Sequence, residues 1–257
     1  MNDAATTTAA VVALSGAATA LGVLLVRRIA AKAKVQGDNE IIGWMFSGIV
    51  VVGAVFLAFV VFSVYERYSA LREATTAEAA QLVVVYRDTQ TFTGPAKQAA
   101  QDALRQYTKD VMNKEWQSHG LLLPHTSGDA LNPVWAAYRS RPGADPGGGA
   151  EDRLHDLEQL RHLRHLAGEN SLPGGFWPLL IGGAVVTIIA ALFFSMERAG
   201  VQIVLTTILA MMLTGTLLLI SALNRPFTGP VPISQRPFQH ALLNFTALDL
   251  PSAQVVR

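Results

Sequence analysis

Residues 41–64 read IIGWMFSGIVVVGAVFLAFVVFSV, and this stretch decides the class of the protein. It contains no charged residue in 24 positions and would extend about 36 Å as an α-helix. A helix needs about 20 mostly apolar residues to cross the roughly 30 Å hydrocarbon core of a bilayer. Asp38, Asn39 and Glu40 precede the stretch with the acidic and capping chemistry of a helix N-terminus. Residues 41–64 therefore predict a transmembrane helix.

Three further stretches of similar length and without charge occur at about 8–26, 176–196 and 201–223. The basic pair Arg27-Arg28 follows the first stretch, whereas a cleaved signal peptide carries its basic residues in front, so a membrane anchor is favoured. Buried core helices of a soluble protein are the alternative, but four uncharged stretches of this length argue against it. The sequence predicts an all-α integral membrane protein with four transmembrane helices, arranged as two hairpins.

The connections between the predicted spans indicate an orientation. The short loops within the two hairpins, 8–64 and 176–223, carry Arg27, Arg28 and Arg198. Because basic loops tend to stay in the cytoplasm, both termini are expected outside the cell membrane, N-out and C-out. Arginines also flank the spans on the other side, so the bias behind this expectation is small.

The intervening region, 65–175, is polar and is expected to form a helical extramembrane subdomain. The second span continues without a helix breaker toward Arg87, and another helix follows Pro95. A flexible loop is expected at about 117–150, before a polar helix that starts at Glu151. Leucines recur every three residues in that last helix, so its apolar surface winds around it and predicts packing on more than one neighbour. These leucines are Leu154, Leu157, Leu160, Leu163 and Leu166.

The C-terminal segment, 224–257, is predicted to be an extended, proline-rich tail. It contains Arg225-Pro226-Phe227-Thr228-Gly229, and Arg236-Pro237-Phe238 repeats the first three of these residues. Prolines disfavour helix, so the segment is expected to lie along the membrane surface or the middle region. A structural clamp is one interpretation of the motif; a cationic rim beside a pore mouth is the other.

Three residues of the polar helix could hold a metal ion. His155, Glu158 and His162 fall within about 60° of one another at the 100° step of a helix, and imidazole and carboxylate groups bind zinc. The alternative is a solvated face, because no fourth ligand is evident and other polar residues surround the three. They are Asp152, Arg153, Arg161, Arg164 and His165.

The sequence gives little support for catalysis, nucleic-acid binding or proton-coupled transport. The chain has no cysteine, no phosphate-binding glycine loop and no histidine-glutamate zinc-protease motif, so we expect neither an enzyme nor a cofactor. A net charge of +1 gives no basic field to attract nucleic acid. The spans contain no internal carboxylate or lysine, which argues against a proton-coupled transporter.

Small residues share a face on two of the predicted spans. Four small residues lie within about 60° of one another on the second span: Gly43, Ser47, Ala54 and Ala58. Three residues do the same on the fourth span: Thr206, Ala210 and Thr214. Small residues let helices approach closely in lipid, and the residues alone favour this interpretation. Pore lining is the alternative, because small and hydroxyl side chains leave room for ions and water.

The layout resembles the bestrophin-like domain family of bacterial four-span membrane proteins, which has a distant proposed relation to bestrophin anion channels. The resemblance runs from about residue 8 to residue 245. It rests on Asp38 to Gly43, Tyr65-Glu66-Arg67-Tyr68, Tyr107 to Trp116, Leu172-Pro173 before Trp177, and Asn224-Arg225-Pro226-Phe227-Thr228-Gly229. The family usually has an acidic residue where this chain has Asn224.

The resemblance implies a helical homo-oligomer in the lipid bilayer, with a pentamer around a central pore as one arrangement. The leading hypothesis is channel-like ion permeation through a pore lined by the second span, with Asn39 and Glu40 at its entrance. The alternative is a non-conducting scaffold or sensor whose middle helical region binds a partner protein.

Overall fold

The computed structural model of the chain describes residues 2–33, 39–116, 131–140, 149–169, 172–193 and 199–250. Every regular element in these ranges is helical. The α-helices are α1 Asn2–Ala33, α2 Asn39–Asp88, α3 Pro95–Asp110, α4 Asn132–Arg139, α5 Gly149–Glu169, α6 Phe176–Phe193, α7 Ala199–Leu223 and α8 Arg236–Asp249. A 3-10 helix, Thr89–Thr91, follows α2, and a π-helix, Val111–Glu115, follows α3.

The helices divide into two compact units, here called the membrane unit and the polar unit. The membrane unit comprises Met1–Glu66, Leu172–Arg225 and Gly229–Val231. The polar unit comprises Arg67–Ser171, Pro226–Thr228 and Pro232–Arg257. Helix α2 belongs to both, because it runs without a break from Asn39 to Asp88, as the absence of a breaker predicted.

Among the described residues, three helices are long and apolar enough to cross a membrane: Thr6–Arg28, Phe46–Thr91 and Ala199–Leu223. They include the predicted first and fourth spans and the predicted second span from Phe46 onward. The apolar part of α6, Phe176–Leu192, is shorter and lies at the lower limit of about 17 residues for a span. The end predicted for that third span, at Met196, and the basic connection after it lie outside the described residues.

Close helix packing in the membrane unit centres on α1 and α7, with α6 against both. Gly16 of α1 is a point of close approach, because a Cβ there would lie 3.1 Å from Cγ of Met211 and 3.2 Å from Cγ2 of Thr207. On the predicted small-residue face of α7, Thr206 and Ala210 are buried. For the fourth span, the burial of these two residues favours the packing interpretation.

The polar unit is built around one apolar core, to which α2, α3, α4, α5 and α8 all contribute buried side chains. Leu154 and Leu157 are fully buried in it, whereas Leu163 and Leu166, further along α5, are about half exposed. The apolar surface of α5 does wind around the helix, as its three-residue repeat predicted.

The prediction of an extended tail is wrong beyond Gln235. Helix α8 begins at Arg236 and places Pro237 in its first turn, where the missing N–H is tolerated and the fixed φ suits a helix. Phe238, Ala241 and Phe245 then recur on one face and are buried in the core of the polar unit. Burial of this apolar stripe outweighs the local signal of the prolines.

Candidate functional site

The membrane half of α2 is poorly covered by the rest of its own chain. Val52 and Phe59 are about 70% exposed, and within the described parts of the chain the helix makes no extensive contact with α1, α6 or α7. Trp44 and Tyr65 are also exposed and lie 21 positions apart, or about 32 Å along a helix. That separation matches the hydrocarbon thickness, with an aromatic side chain at each interface.

A cavity of about 700 Å³ separates this part of α2 from α6 and α7. Its wall on α2 runs from Ile49 to Tyr65, and both other helices contribute mainly apolar side chains. The two threonines in the wall are already bonded: Thr187 donates to the Gly183 carbonyl and Thr216 to the Met212 carbonyl, each at 2.8 Å. The cavity is therefore an apolar space within the membrane unit.

The predicted pore candidates on α2 fall into two groups. Ala54 and Ala58 are exposed and line the cavity. Ser47 is also exposed, and its hydroxyl donates a 2.8 Å hydrogen bond to the Trp44 carbonyl instead of to a neighbouring helix. Gly43 is partly exposed. None of these contacts decides between a pore wall and a packing surface.

Asn39 and Glu40, the predicted entrance, form the first turn of α2, and their side chains lie outside the described residues. Two glycines further along show how little touches this helix: a Cβ added at Gly48 or Gly53 would meet nothing within 4 Å. This contrasts with the tight environment of Gly16 on α1. Gly48 and Gly53 of the second span therefore make no close helix contact among the described parts of the chain.

The motif after the fourth span requires a glycine at its end. The Gly229 N–H donates to the Arg225 carbonyl at 2.7 Å, which closes a tight turn. A Cβ on Gly229 would lie 2.6 Å from the carbonyl oxygens of both Ala222 and Arg225, well inside contact distance. Sterics alone exclude every other residue here, unless the backbone shifts.

Asn224, Pro226 and Phe227 of the same motif have separate roles. Oδ1 of Asn224 accepts a 2.6 Å hydrogen bond from the Leu172 N–H, a bond that a carboxylate oxygen could also accept. The carbonyl of Pro226 accepts the N–H of residue 233. The Phe227 ring lies edge-on to Trp116 in the core of the polar unit, with centroids 5.2 Å apart. These contacts support the clamp interpretation of the motif; Arg225 is exposed.

The polar unit contains a group of buried polar side chains that the sequence did not predict. We call it the buried charge cluster, and it brings together α2, α3, the π-helix and α5. Its members are Glu78, Tyr107, Glu115, Arg161, Arg164 and His165.

Arg164 is the centre of the cluster. Its Nε donates to Glu78 at 2.5 Å and its Nη2 donates to Glu115 at 2.6 Å. Arg161 donates to the other oxygen of Glu115 at 2.8 Å, and the Tyr107 hydroxyl donates to Glu78 at 2.5 Å. Two guanidinium groups thus face two carboxylates, which balances the buried charge.

The environment fixes the protonation states of the cluster. Burial alone would raise the pKa of Glu115, but Arg164 and Arg161 outweigh it and hold that pKa below its usual value. Burial next to Arg164 lowers the pKa of His165 to about 3, so the imidazole is neutral. Nε of Arg161 donates to Nε2 of His165 at 3.3 Å, which places the ring proton on Nδ1.

The alternative to a metal site, a solvated face that also contains Arg161, Arg164 and His165, is therefore wrong for these three residues. Their partners Glu78 and Glu115 come from distant parts of the chain, so helical spacing within α5 carried no sign of them. The π-helix also makes the position of Glu115 harder to predict, because its extra residue per turn changes which face of the helix each residue after Val111 occupies. The available signal was Glu78, an acidic residue in a mostly apolar stretch of α2.

The predicted metal ligands lie on the outer face of α5. Nδ1 of His155 and Oε2 of Glu158 are 3.8 Å apart, and both side chains are more than half exposed. The His155 ring also packs on Trp135, with centroids 4.6 Å apart. His162 does not join them, since no group of three possible ligands occurs in the described parts of the chain. These three residues form a solvated surface, which was the alternative.

Long apolar helices, with a polar helical unit on the same chain, define an all-α integral membrane protein. The sequence profile of the Bestrophin-like domain family matches residues 13–238, so the chain belongs to that family. A crystal structure of a membrane protein has the same fold, with a TM-score of 0.70 at 13% identity, over 92% of this chain and 98% of the other. No curated protein matches the chain significantly.

Proposed function

We propose that the protein is a homo-oligomer that conducts ions through a central pore lined by α2. The observation that carries the proposal is the uncovered membrane half of α2 beside a closely packed α1 and α7. A span that its own chain leaves bare on most sides is available to other copies and to a shared axis. Membership of the Bestrophin-like domain family supports the same assignment.

Two faces of α2 are candidates for the pore wall. The first carries Gly43, Ser47, Ala54 and Ala58, with Asn39 and Glu40 at the entrance. The second, on the far side from the cavity, carries three exposed apolar residues: Val52, Val55 and Phe59. An apolar ring of this kind can gate ions by dewetting, whereas a small-residue face leaves a wider path.

The absence of native cysteine makes substituted-cysteine accessibility a direct test. Ser47→Cys and Ala54→Cys report on one face, and Val52→Cys and Phe59→Cys on the other; Ala210→Cys, at a fully buried position of α7, is the control. Each variant is reconstituted in liposomes, and ion flux is measured before and after a water-soluble thiol reagent. Modification of one face should block flux, while the control stays unmodified. Absence of flux from a well-folded oligomer would refute the proposal.

The proposed topology has four spans, with α6 as the third, and both termini outside the cell. The apolar part of α6 is about 26 Å long, which suffices for a thin or locally thinned bilayer. Reporter fusions at residue 145 and at the C-terminus should both give an extracellular signal. A cytoplasmic signal at both would reverse the orientation. Signals on opposite sides would mean an odd number of spans between residue 145 and the C-terminus.

A second candidate function is a non-conducting scaffold or sensor, favoured by the exposed Leu163 and Leu166 of α5. Apolar residues on a polar unit can bind a partner protein. This function predicts a protein that co-purifies with the wild type and is lost in a Leu163→Glu variant. It also predicts that Glu40→Gln leaves any residual flux unchanged, whereas the pore proposal expects a change. Neither function needs catalysis or a cofactor.

A further inference from the structure

The position of α6 and α7 beside α2 distinguishes the two faces of α2 that could line a pore. All three helices contribute to the wall of the apolar cavity, and Ala54 and Ala58 belong to that wall. These two alanines therefore face the rest of their own chain. A helix that lines a central pore has its own subunit behind it and the axis in front of it. In the proposed oligomer, the pore face is the face of α2 that points away from α6 and α7.

That face combines three apolar side chains with one carboxylate. At the 100° step of a helix, four exposed residues fall within about 60° of one another on it: Val52, Val55, Phe59 and Glu66. None of the four lines the cavity. The stripe lies within the membrane unit, and its geometry depends only on the regular course of α2.

Glu66 is the first charged residue of α2 after Glu40. It follows Phe59 by two helical turns, or about 10 Å along the helix, and it is adjacent to Tyr65 at the expected membrane interface. Its side chain is exposed, and within the described part of the chain it has no hydrogen bond or ion pair. The next residue, Arg67, is turned by a further 100° and lies off this face. The Glu66 carboxylate therefore keeps its full charge at one end of the apolar stripe.

We propose that Glu66 makes the pore selective for cations, through a ring of carboxylates at one mouth to which each copy of the chain contributes one. Rings of acidic side chains select cations in channels, because they attract the permeant ion and repel anions. A passage lined by one sign of charge raises the local concentration of counter-ions about tenfold or more. The inference rests on the proposed function, since on a helix that faced no pore Glu66 would be an ordinary solvated side chain.

The ratio of K⁺ to Cl⁻ permeability tests this assignment. The full-length protein is reconstituted in planar bilayers under a KCl gradient, and the reversal potential gives the ratio. The wild type should favour K⁺ about tenfold, and Glu66→Gln, which keeps the shape but removes the charge, should lose most of that preference. Glu158→Gln, the same change at an exposed position of α5, is the control and should leave the ratio unchanged.

Charge restoration gives a second test that does not depend on how a variant folds. The chain has no native cysteine, so Glu66→Cys places a single thiol on the proposed pore face. After reconstitution, a methanethiosulfonate reagent that carries a sulfonate should restore the preference for K⁺. The reagent that carries a trimethylammonium group should instead shift the preference toward Cl⁻. A difference between the two reagents reports the sign of the charge at residue 66 in a protein that is already assembled.

The outcomes separate this inference from the proposed pore. An ion flux without preference for K⁺ in the wild type would overturn the role of Glu66 and leave the pore standing. The same conclusion would follow if Glu66→Gln kept the wild-type ratio, or if the two reagents gave equal ratios. Absence of any flux from a folded oligomer would overturn the pore and the selectivity together.

Discussion

Arg164 and Glu78 form an ion pair in the interior of the polar unit, although they lie 86 residues apart in the chain. Their side chains are 2% and 0% exposed. Arg164 comes from α5 and Glu78 from the part of α2 that belongs to the polar unit. An ion pair can be buried at low cost only when each charge has a partner and its remaining hydrogen-bonding groups are satisfied. The pair therefore fixes how α5 and α2 align within the polar unit.

The first prediction concerns the balance of the cluster. Glu115→Gln keeps the shape of the side chain but leaves two arginines facing one carboxylate, so it should destabilise the fold by roughly 3 kcal/mol, because an uncompensated charge stays buried. Thermal unfolding of the full chain in detergent measures the loss. Glu158→Gln, in the exposed pair with His155, is the matched control and should change stability by less than about 0.5 kcal/mol.

The same prediction has a rescue arm. Adding Arg161→Met to Glu115→Gln removes one positive charge and leaves Arg164 paired with Glu78. The double variant should recover at least half of the lost stability, since a balanced cluster has been restored. If the double variant is as unstable as the sum of the two single variants, charge balance is not what holds the cluster.

The second prediction concerns acid sensitivity. The pKa of His165 is lowered from 6.5 to about 3 in the folded chain. Between these values the unfolded chain binds a proton that the folded chain does not, so the free energy of unfolding falls as the pH falls. The slope from this group is at most about 1.4 kcal/mol per pH unit. The lowered pKa of Glu115 acts in the same direction, below its ordinary value of 4.5.

His165→Gln should therefore reduce the loss of thermal stability between about pH 6.5 and pH 5, since glutamine does not titrate. Unfolding midpoints at a series of pH values in that window measure the effect. His155→Gln is the control, because the His155 side chain is 63% exposed. Identical pH profiles for wild type and His165→Gln would argue that the histidine is not neutral inside the fold.

The third prediction concerns the turn after the fourth span. Gly229→Ala places a Cβ 2.6 Å from two carbonyl oxygens and should destabilise the protein by at least about 2 kcal/mol, because backbone must move. Gly174→Ala is the control, since a Cβ there meets nothing within 4 Å. Yield of monodisperse protein and the unfolding midpoint report the difference. Equal behaviour of the two variants would mean that the turn relaxes without cost.

The fourth prediction concerns Asn224 and its hydrogen bond to the backbone of Leu172. Asn224→Asp should be tolerated within about 1 kcal/mol, because a carboxylate oxygen can accept the Leu172 N–H as Oδ1 does now. Asn224→Leu should cost about 1–3 kcal/mol, since it leaves that N–H without its acceptor. Unfolding midpoints of the two variants rank them. A well-tolerated leucine would show that the bond contributes little.

The sequence alone determined the helical membrane character of this protein. Long apolar runs such as 41–64 must be helical in lipid, because each backbone N–H and C=O has to be satisfied within its own segment. Composition and length are enough for that inference. The continuation of α2 toward Asp88 followed for a similar local reason, the absence of any breaker.

Only the tertiary structure decided the rest. The buried charge cluster joins residues 86 and 49 positions apart, and no local spacing records such a pairing. Helix α8 forms despite its prolines because Phe238 and Phe245 find a core to fill. The apolar cavity beside the second span exists because α2 stands away from α6 and α7. The sequence specifies which segments enter the bilayer through their own transfer free energy, whereas contacts between distant segments depend on the fold that brings them together.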